Sequence, residues 1–385
     1  MRIINIGIIF IVFAIQACSQ RVIIQVENQA SFDRKTETIE IQWNEINTKL
    51  NLSNSSPVAV SEDGNKIVHQ VIDIDANGTP DYLLFQSSFK QDEKKQFTIM
   101  KVEANVPVES ITDAKYILPR KDVAWENDCI AFRIYGGPLA GDVRSGLDVW
   151  VKRVRYHIID KWYDGDSLKG KKRISYHVDH GEGADMFNVG KTLGAGGSAL
   201  WVDTTLCQFG LFTKEQIIAT GPIRAMFTVT YDTVLADGET LNEEKTYTLD
   251  AGENLNRIDV HYTGLKKDGA VNIALGLVKR EGTIPYSDES NNWLSLWGLV
   301  NDDSTNGYLG TGLILPKRSY RERREDANNY LIIGSTSADK QFTYYAGAGW
   351  TRSGDFSSVD NWNSYLKTFT LRLESPLRIM ILDTN

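Results

Sequence analysis

Short runs in which apolar and polar residues alternate recur along almost the whole chain. A two-residue period suits strands that bury one face and suits little else. Val22-Ile23-Ile24-Gln25-Val26 and Thr38-Ile39-Glu40-Ile41-Gln42-Trp43 are early examples. Ala131-Phe132-Arg133-Ile134-Tyr135, Leu147-Asp148-Val149-Trp150-Val151, Met226 to Tyr231, Asn256 to Tyr262 and Phe369 to Leu373 continue the pattern. Gly, Asn and Asp punctuate the runs, as turns between antiparallel strands require. Helical periodicity is nearly absent; Lys214 to Ala219 and Tyr320 to Asn328 are the best short helix candidates. The expected fold class is therefore all-β, in packed antiparallel sheets.

The chain begins differently. Arg2 is followed by an apolar run from Ile3 to Ile15. That run is shorter than the roughly 17–25 residues a spanning helix needs, and it has the flanks of a signal peptide. Ile15-Gln16-Ala17-Cys18 reads as a lipobox, with a small residue before the cut and a thiol to take the lipid. The expectation is a signal peptide at residues 1–17, lipidation at Cys18, and a lipid anchor in the cell membrane, in an outer membrane facing the periplasm. A plain secretory signal with a chance cysteine is the alternative. Contact with the membrane is then through the anchor only. The rest divides into a small β-sandwich region at 18–115 and a large antiparallel β-supersandwich at 116–385. Mutarotases and the β domains of polysaccharide lyases supply the pattern for the larger unit.

A net charge of −8 argues against nucleic acid as partner, because that recognition needs a basic footprint. Nucleotide and nicotinamide fingerprints are absent, as are the HExxH and CxxC patterns, so no cofactor is expected. Beyond Cys18 only Cys129 and Cys207 remain, read here as buried free thiols. Nine Trp and sixteen Tyr are the compositional excess. Aromatics favour strands, and their flat faces also stack on sugar rings. Trp293 and Trp297, with Tyr344, Tyr345 and Trp350, are candidates for a sugar platform or for core.

The densest polar region runs from Arg133 to Asp203. Strand alternation puts Phe132 and Ile134 on one face and Arg133 and Tyr135 on the other. From Arg144 to Arg173 nine Lys and Arg stand against four Asp, in an acidic chain. A local positive field of that kind points to an anionic ligand; a solvated basic face is the plain alternative. Tyr176-His177-Val178-Asp179-His180-Gly181-Glu182-Gly183-Ala184-Asp185 follows, a Gly-rich loop with two imidazoles, a phenol and three carboxylates. Imidazole and phenol suit proton transfer. The Gly-rich stretch would let a substrate approach the backbone. Two other readings stay open: a metal held by His177, His180 and Asp185, and histidines that merely satisfy the loop. Lys317 to Arg324 is a basic stretch that either reaches the same ligand or forms a solvated short helix. Asp73-Ile74-Asp75-Ala76-Asn77-Gly78-Thr79-Pro80-Asp81 looks like the start of a calcium loop, but Leu84 stands where the twelfth-position glutamate belongs. A tight turn is the better reading of it.

Trp125-Glu126-Asn127-Asp128, Ala131 to Gly136, Tyr176 to Gly183 and Gly194 to Gly197, taken together, resemble the lipoproteins of domain-of-unknown-function family 4861. The resemblance runs from about Val26 to Leu373. It implies carbohydrate processing beside polysaccharide-degrading enzymes. The chain is also similar to the oligosaccharide dehydratase of ulvan breakdown, which implies a hydro-lyase acting on an anionic, uronate-containing oligosaccharide. Removing water from a uronate needs positive charge at the carboxylate, a base at C5 and an acid at the 4-hydroxyl. Arg133, Arg144 and Lys152 are the expected cations and Asn188 a hydrogen-bond donor. Tyr176, His177 and His180 are the expected proton carriers, with Tyr135 in reserve. A polysaccharide lyase and a non-catalytic glycan-binding lipoprotein are the rival expectations.

Overall fold

A computed structural model describes residues 20–137, 141, 143–167, 173–234, 240–264, 270–288, 292–337 and 341–382. Cys18 and the signal segment, like Lys169, Lys171 and Lys172, lie outside the described residues. The architecture is all-β, with antiparallel sheets and three short helices among the described residues. None of those helices is long and apolar enough to cross a membrane.

The N-terminal region is a small sandwich. A five-stranded sheet in the order Arg378–Leu382, Arg21–Glu27, Lys94–Lys101, Val58–Glu62, Asn65–Ile67 faces a three-stranded sheet of Arg34–Gln42, Tyr82–Phe89 and His69–Ile72. Val22, Ile24 and Val26 point inward from one sheet and Ile39, Ile41 and Phe85 from the other, as their two-residue period dictates. Helix α1 (Trp43–Leu50) seals this core with Trp43, Ile46 and Leu50. The final strand, Arg378–Leu382, returns to pair with Arg21–Glu27, so the small sandwich is closed by the far end of the chain.

The larger unit has three sheets around one core. An eight-stranded sheet runs Lys214–Ala219, Arg224–Val234, Thr240–Asp250, Leu255–Thr263, Phe342–Trp350, Tyr308–Ile314, Trp293–Leu299, Ile284–Asp288. Against it pack two five-stranded sheets. One is Gly183–Ala184, Asp148–Lys152, Ile130–Tyr135, Asp122–Glu126, Asp113–Ile117; the other is Thr205–Cys207, Ala195–Val202, Ala270–Val278, Asn329–Ser337, Tyr320–Glu325. Trp125, Phe132, Phe227, Tyr247, Leu275 and Tyr344 meet in the shared core. The two smaller sheets join through the Leu147–Gly194 bridge. Gly194 is required there: its φ is +64°, and a Cβ would stand 2.2 Å from the Leu147 carbonyl oxygen.

Three segments depart from the sequence expectation. Lys214–Ala219 and Tyr320–Glu325 are strands, not helices, because pairing with Arg224–Val234 and Asn329–Ser337 outweighs local propensity. Both end their sheets, and their charged side chains suit exposed edges. Phe369 to Leu373, read as alternating, lies in helix α3 (Val359–Glu374). Five residues fit both periods, but Trp362, Leu366 and Phe369 set a helical face over a longer window. Ser358 Oγ caps this helix by accepting from the Asn361 N–H. The helix covers the outer face of the eight-stranded sheet, where Leu366 and Phe369 each contribute roughly 1.5–3 kcal/mol by burial.

The core also holds charge. Leu241, Glu243, Lys245, Tyr247 and Leu249 share the inward face of their strand. Glu243 and Lys245 are fully buried with their charged atoms 3.0 Å apart, and Tyr262 Oη and Ser198 Oγ both donate to Glu243 Oε1. The Lys245 ammonium lies 4.7 Å from the centre of the Tyr231 ring.

Candidate active site

The outer face of the sheet containing Ile130–Tyr135 is polar and covered. Cross-strand register sets Arg133 opposite Asp148 on one side and Ala124 on the other, and Tyr135 opposite Asp122. Residue 131, one pair further along, is alanine, which leaves room for Trp150. Helix α2 (Ile159–Asp166) and the segment from Arg173 to Asp185 close over this face. Glu126 docks the helix: its Oε1 accepts the N–H groups of Ile158 and Ile159, and its Oε2 takes Lys152 Nζ at 2.5 Å. An anion at a helix N-terminus is favourable there.

Arg133 is the hub. Nε donates to Asp148 Oδ2 at 2.9 Å, Nη2 reaches Asp185 Oδ2 at 2.7 Å and Tyr135 Oη at 3.1 Å, and Nη1 donates to Tyr176 Oη at 3.3 Å. Tyr135 Oη donates in turn to Asp148 Oδ2 at 2.8 Å. The guanidinium also packs on the rings of Tyr135, Trp150 and Tyr176. Burial opposes its charge, but Asp148, Tyr135 and Asp185 more than compensate, so Arg133 stays firmly protonated. Burial, with the Asp148 charge added, pushes the Asp185 carboxyl well above the usual carboxylate range. Burial likewise raises the Asp122 carboxyl and the phenols of Tyr135, Tyr163 and Tyr176.

His177 connects this hub to solvent. Its side chain is 54 % exposed, its ring centre lies 4.5 Å from that of Tyr176, and Nδ1 donates to the Asp185 carbonyl at 3.0 Å. That bond fixes the tautomer of the neutral ring and leaves Nε2 to accept a proton. The Asp185 carboxylate oxygen is 3.5 Å from the same Nδ1.

Beside the hub opens a cleft of about 920 Å³ lined by Lys115, Arg120, Tyr163, Asp164, Asp166 and Arg173, among others. Tyr163 joins cleft to hub, because its Oη donates to Asp122 Oδ2 at 3.2 Å. Arg120 lies over the rings of both Tyr163 and Tyr176, with its side chain 32 % exposed and its nearest carboxylate, Asp166, 3.6 Å away. Leu118, exposed beside Pro119, forms an apolar lip.

Several expected site residues sit elsewhere or do something else. Arg133 is engaged on every nitrogen, so it orders the site and has no free fork for a sugar carboxylate. Lys152 is fully buried against Glu126 and the Asn127 carbonyl. Trp293 and Trp297 are buried beneath α3 with Trp362, and Tyr344 and Trp350 lie in the central core. Arg144, Asn188 and His180 are exposed, and among the described residues no hydrogen bond ties them to the hub. His180 also does not join His177 and Asp185; the three-carboxylate group Asp73, Asp75 and Asp81 is the only such ligand-like cluster among the described residues. Those carboxylates accept main-chain N–H groups of their own turn, from Ile74, Asn77 and Gly78.

Most of the described residues of the basic stretch are paired, several of them with acids distant in sequence. Arg153 pairs with Asp179, Lys161 with Glu182, Arg155 with Asp355 and Lys152 with Glu126. The glycines of the 177–183 loop serve the chain itself: a Cβ on Gly183 would stand 1.9 Å from the Val151 carbonyl oxygen. Asp179 holds that loop through the Gly181 and Gly183 amides, and these with Arg153 outweigh burial and lower its carboxyl. Cys129 is buried but Cys207 is exposed. Arg120, Asp122 and Tyr163 escaped notice in the sequence. Pairing the runs at 131–135 and 147–151 as a hairpin would have shown Asp148 facing Arg133.

The solved structure of a glycosyl hydrolase family 38 protein from Enterococcus faecalis is similar in fold, with a TM-score of 0.52 and 11 % identity over 95 % of this chain and 48 % of that one. An alpha-mannosidase from Enterococcus faecalis V583 matches equally, with a TM-score of 0.52, 9 % identity and coverage of 95 % and 46 %. The chain thus spans about half the length of these structures. A relative from Formosa agariphila, described as uncharacterized protein P7, is 33 % identical over 94 % of each chain. The profile described as domain of unknown function DUF4861 matches residues 26–379, and the chain belongs to that family.

Proposed function

We propose that the protein is a hydro-lyase that removes water from the non-reducing-end uronic acid of an anionic oligosaccharide such as an ulvan fragment, leaving a 4,5-unsaturated uronyl end. The observation that carries this reading is the pairing of an accessible imidazole with a half-exposed guanidinium about one aromatic ring, Tyr176. The fold it shares with solved glycoside hydrolases supports a carbohydrate substrate by analogy.

In this reading Arg120 meets the uronate carboxylate and neutralises the charge that spreads into it as C5 loses its proton. His177 Nε2 takes that proton, with Nδ1 anchored on the Asp185 carbonyl. The C5–H and C4–O bonds break, the C4–C5 double bond forms, and the 4-oxygen leaves as water once protonated. Mass spectrometry of uronate-terminated oligosaccharides incubated with the protein tests this. Loss of one water at unchanged chain length, with rising ultraviolet absorbance, is expected. Shortened products would mean a polysaccharide lyase instead, and binding without chemistry a glycan-binding protein. His177→Gln should lower kcat by about 10²–10⁴ with unchanged melting temperature, because the side chain is exposed; unaltered turnover would remove it from the reaction. A lipid tether at Cys18 would hold this cleft at a membrane surface, and a diacylglyceryl group on the N-terminal peptide of the mature protein tests that.

A further inference from the structure

We propose that Tyr163 is the acid that protonates the departing 4-hydroxyl, with Asp122 as the positioning residue behind it; this rests on the dehydratase reading above.

Three phenols surround Arg133, and geometry separates them. Tyr135 Oη donates to Asp148 and accepts from Arg133, inside the hub. Tyr176 is buried, and its Oη accepts from Arg133. Tyr163 alone of the three lines the cleft, on α2, with its ring edge-on to Tyr176 at 5.8 Å. It stands on one side of Tyr176 contacts that also include His177 and Arg120. A sugar held by Arg120 would therefore lie against Tyr163 in the cleft, while His177, outside the cleft lining, is tied to both through their shared contact with Tyr176.

The groups facing Tyr163 keep its proton in place. Asp122 accepts its hydrogen bond, Arg133 and Arg120 lie nearby, and Tyr176 packs against it. Burial raises the phenol and the Asp122 charge adds to it, against the opposing pull of Arg133. The phenol thus enters the reaction protonated. In the step itself the Tyr163 O–H bond breaks, the proton goes to the 4-oxygen, the C4–O bond breaks and water leaves. The phenolate regains a proton from solvent while His177 releases the C5 proton to solvent, so the cycle closes with water as the only by-product.

The test compares wild type, Tyr163→Phe and Asp122→Asn on the 4-hydroxy uronate and on its 4-deoxy-4-fluoro analogue, whose leaving group needs no full proton transfer. Tyr163→Phe should lose about 10²–10⁴ in kcat on the hydroxyl substrate with KM nearly unchanged, and far less on the fluoride. Asp122→Asn should move the alkaline limb of kcat to lower pH, because removing a nearby negative charge eases phenol ionisation. Equal losses on both substrates would make Tyr163 structural and overturn the proposal, as would wild-type turnover in Tyr163→Phe. A wild type that forms no unsaturated product from either substrate would overturn the underlying reading as well. If Tyr163→Phe unfolds, Asp122→Asn still decides: an unmoved alkaline limb overturns the proposal.

Discussion

Two clusters of buried charge sit on different sheets of the larger unit, one facing into the core and one facing away from it, and what covers each makes the difference. Glu243 and Lys245 point from the eight-stranded sheet into the sandwich, where tyrosines and a serine close around them. Arg133, Asp148 and Asp185 point from a five-stranded sheet outward, under one short helix and a loop. Both arise from ordinary strand alternation. The inward cluster is sealed, so it can only bear on which strands pair and in what register. The outward cluster is roofed by helix α2 and the 173–185 segment, and the cleft opens at the edge of that roof, between α2 and the turn at residues 115–120. Charge under a roof with an opening can do chemistry; charge in a closed core can only be tolerated.

The largest consequence concerns Arg133. Replacing it with Met leaves Asp148 and Asp185 buried without their cation. Breaking a buried ion cluster in this way costs about 3–5 kcal/mol, and two carboxyl and two phenol partners are stranded here, so the upper end is expected in urea denaturation. Turnover should vanish too, because Tyr176 and Asp185 lose the group that holds them. Lys245→Met should show the stability loss alone: about 3 kcal/mol or more from an unpaired Glu243, with kcat unchanged in the folded fraction. Replacing both partners, as Glu243→Leu with Lys245→Met, should restore stability to near the wild-type level. If Lys245→Met lowered kcat as far as Arg133→Met does, the sealed cluster would be coupled to catalysis and the contrast would fail.

The same contrast explains what could be read in advance. Alternation at Ala131 to Tyr135 set Arg133 and Tyr135 on one face and Phe132 and Ile134 on the other, and the structure keeps that division. The Gly-rich loop, with its imidazoles and phenol, marked Tyr176 and His177 as worth attention, and they meet Arg133 and Asp185. What alternation could not say was which face would be roofed. Lys152 looked available because its strand neighbours are basic, yet its partner Glu126 arrives from another strand. Trp293 and Trp297 looked like a platform because α3 went unrecognised, and α3 is what buries them. Arg120 and Tyr163 carry no local signature at all: one follows a proline turn, the other rides a two-turn helix, and only tertiary packing brings them together.

A smaller effect separates the clusters by pH. The Asp185 carboxyl is raised in the folded protein by burial and by Asp148, against the opposing pull of Arg133 and Arg120. The unfolded chain has the ordinary value near 3.8. Between 3.8 and the raised folded value the native state holds a proton that the unfolded state has lost. Stability must therefore fall as pH rises through that window, by up to about 1.4 kcal/mol per pH unit for this one group. Asp122, raised by burial, adds to the same slope. Asp179 works the other way: its lowered carboxyl stabilises the fold above 3.8 and that contribution is lost on acidification. Asp185→Asn removes a titrating group from the open cluster, with Asp148, Arg133 and His177 left facing the amide. Denaturation curves collected from pH 4 upward should then decline less steeply with pH than those of the wild type. An unchanged slope would mean that Asp185 is already ionised in the folded protein, and that the outward cluster is no better placed to hold a proton than a surface carboxylate.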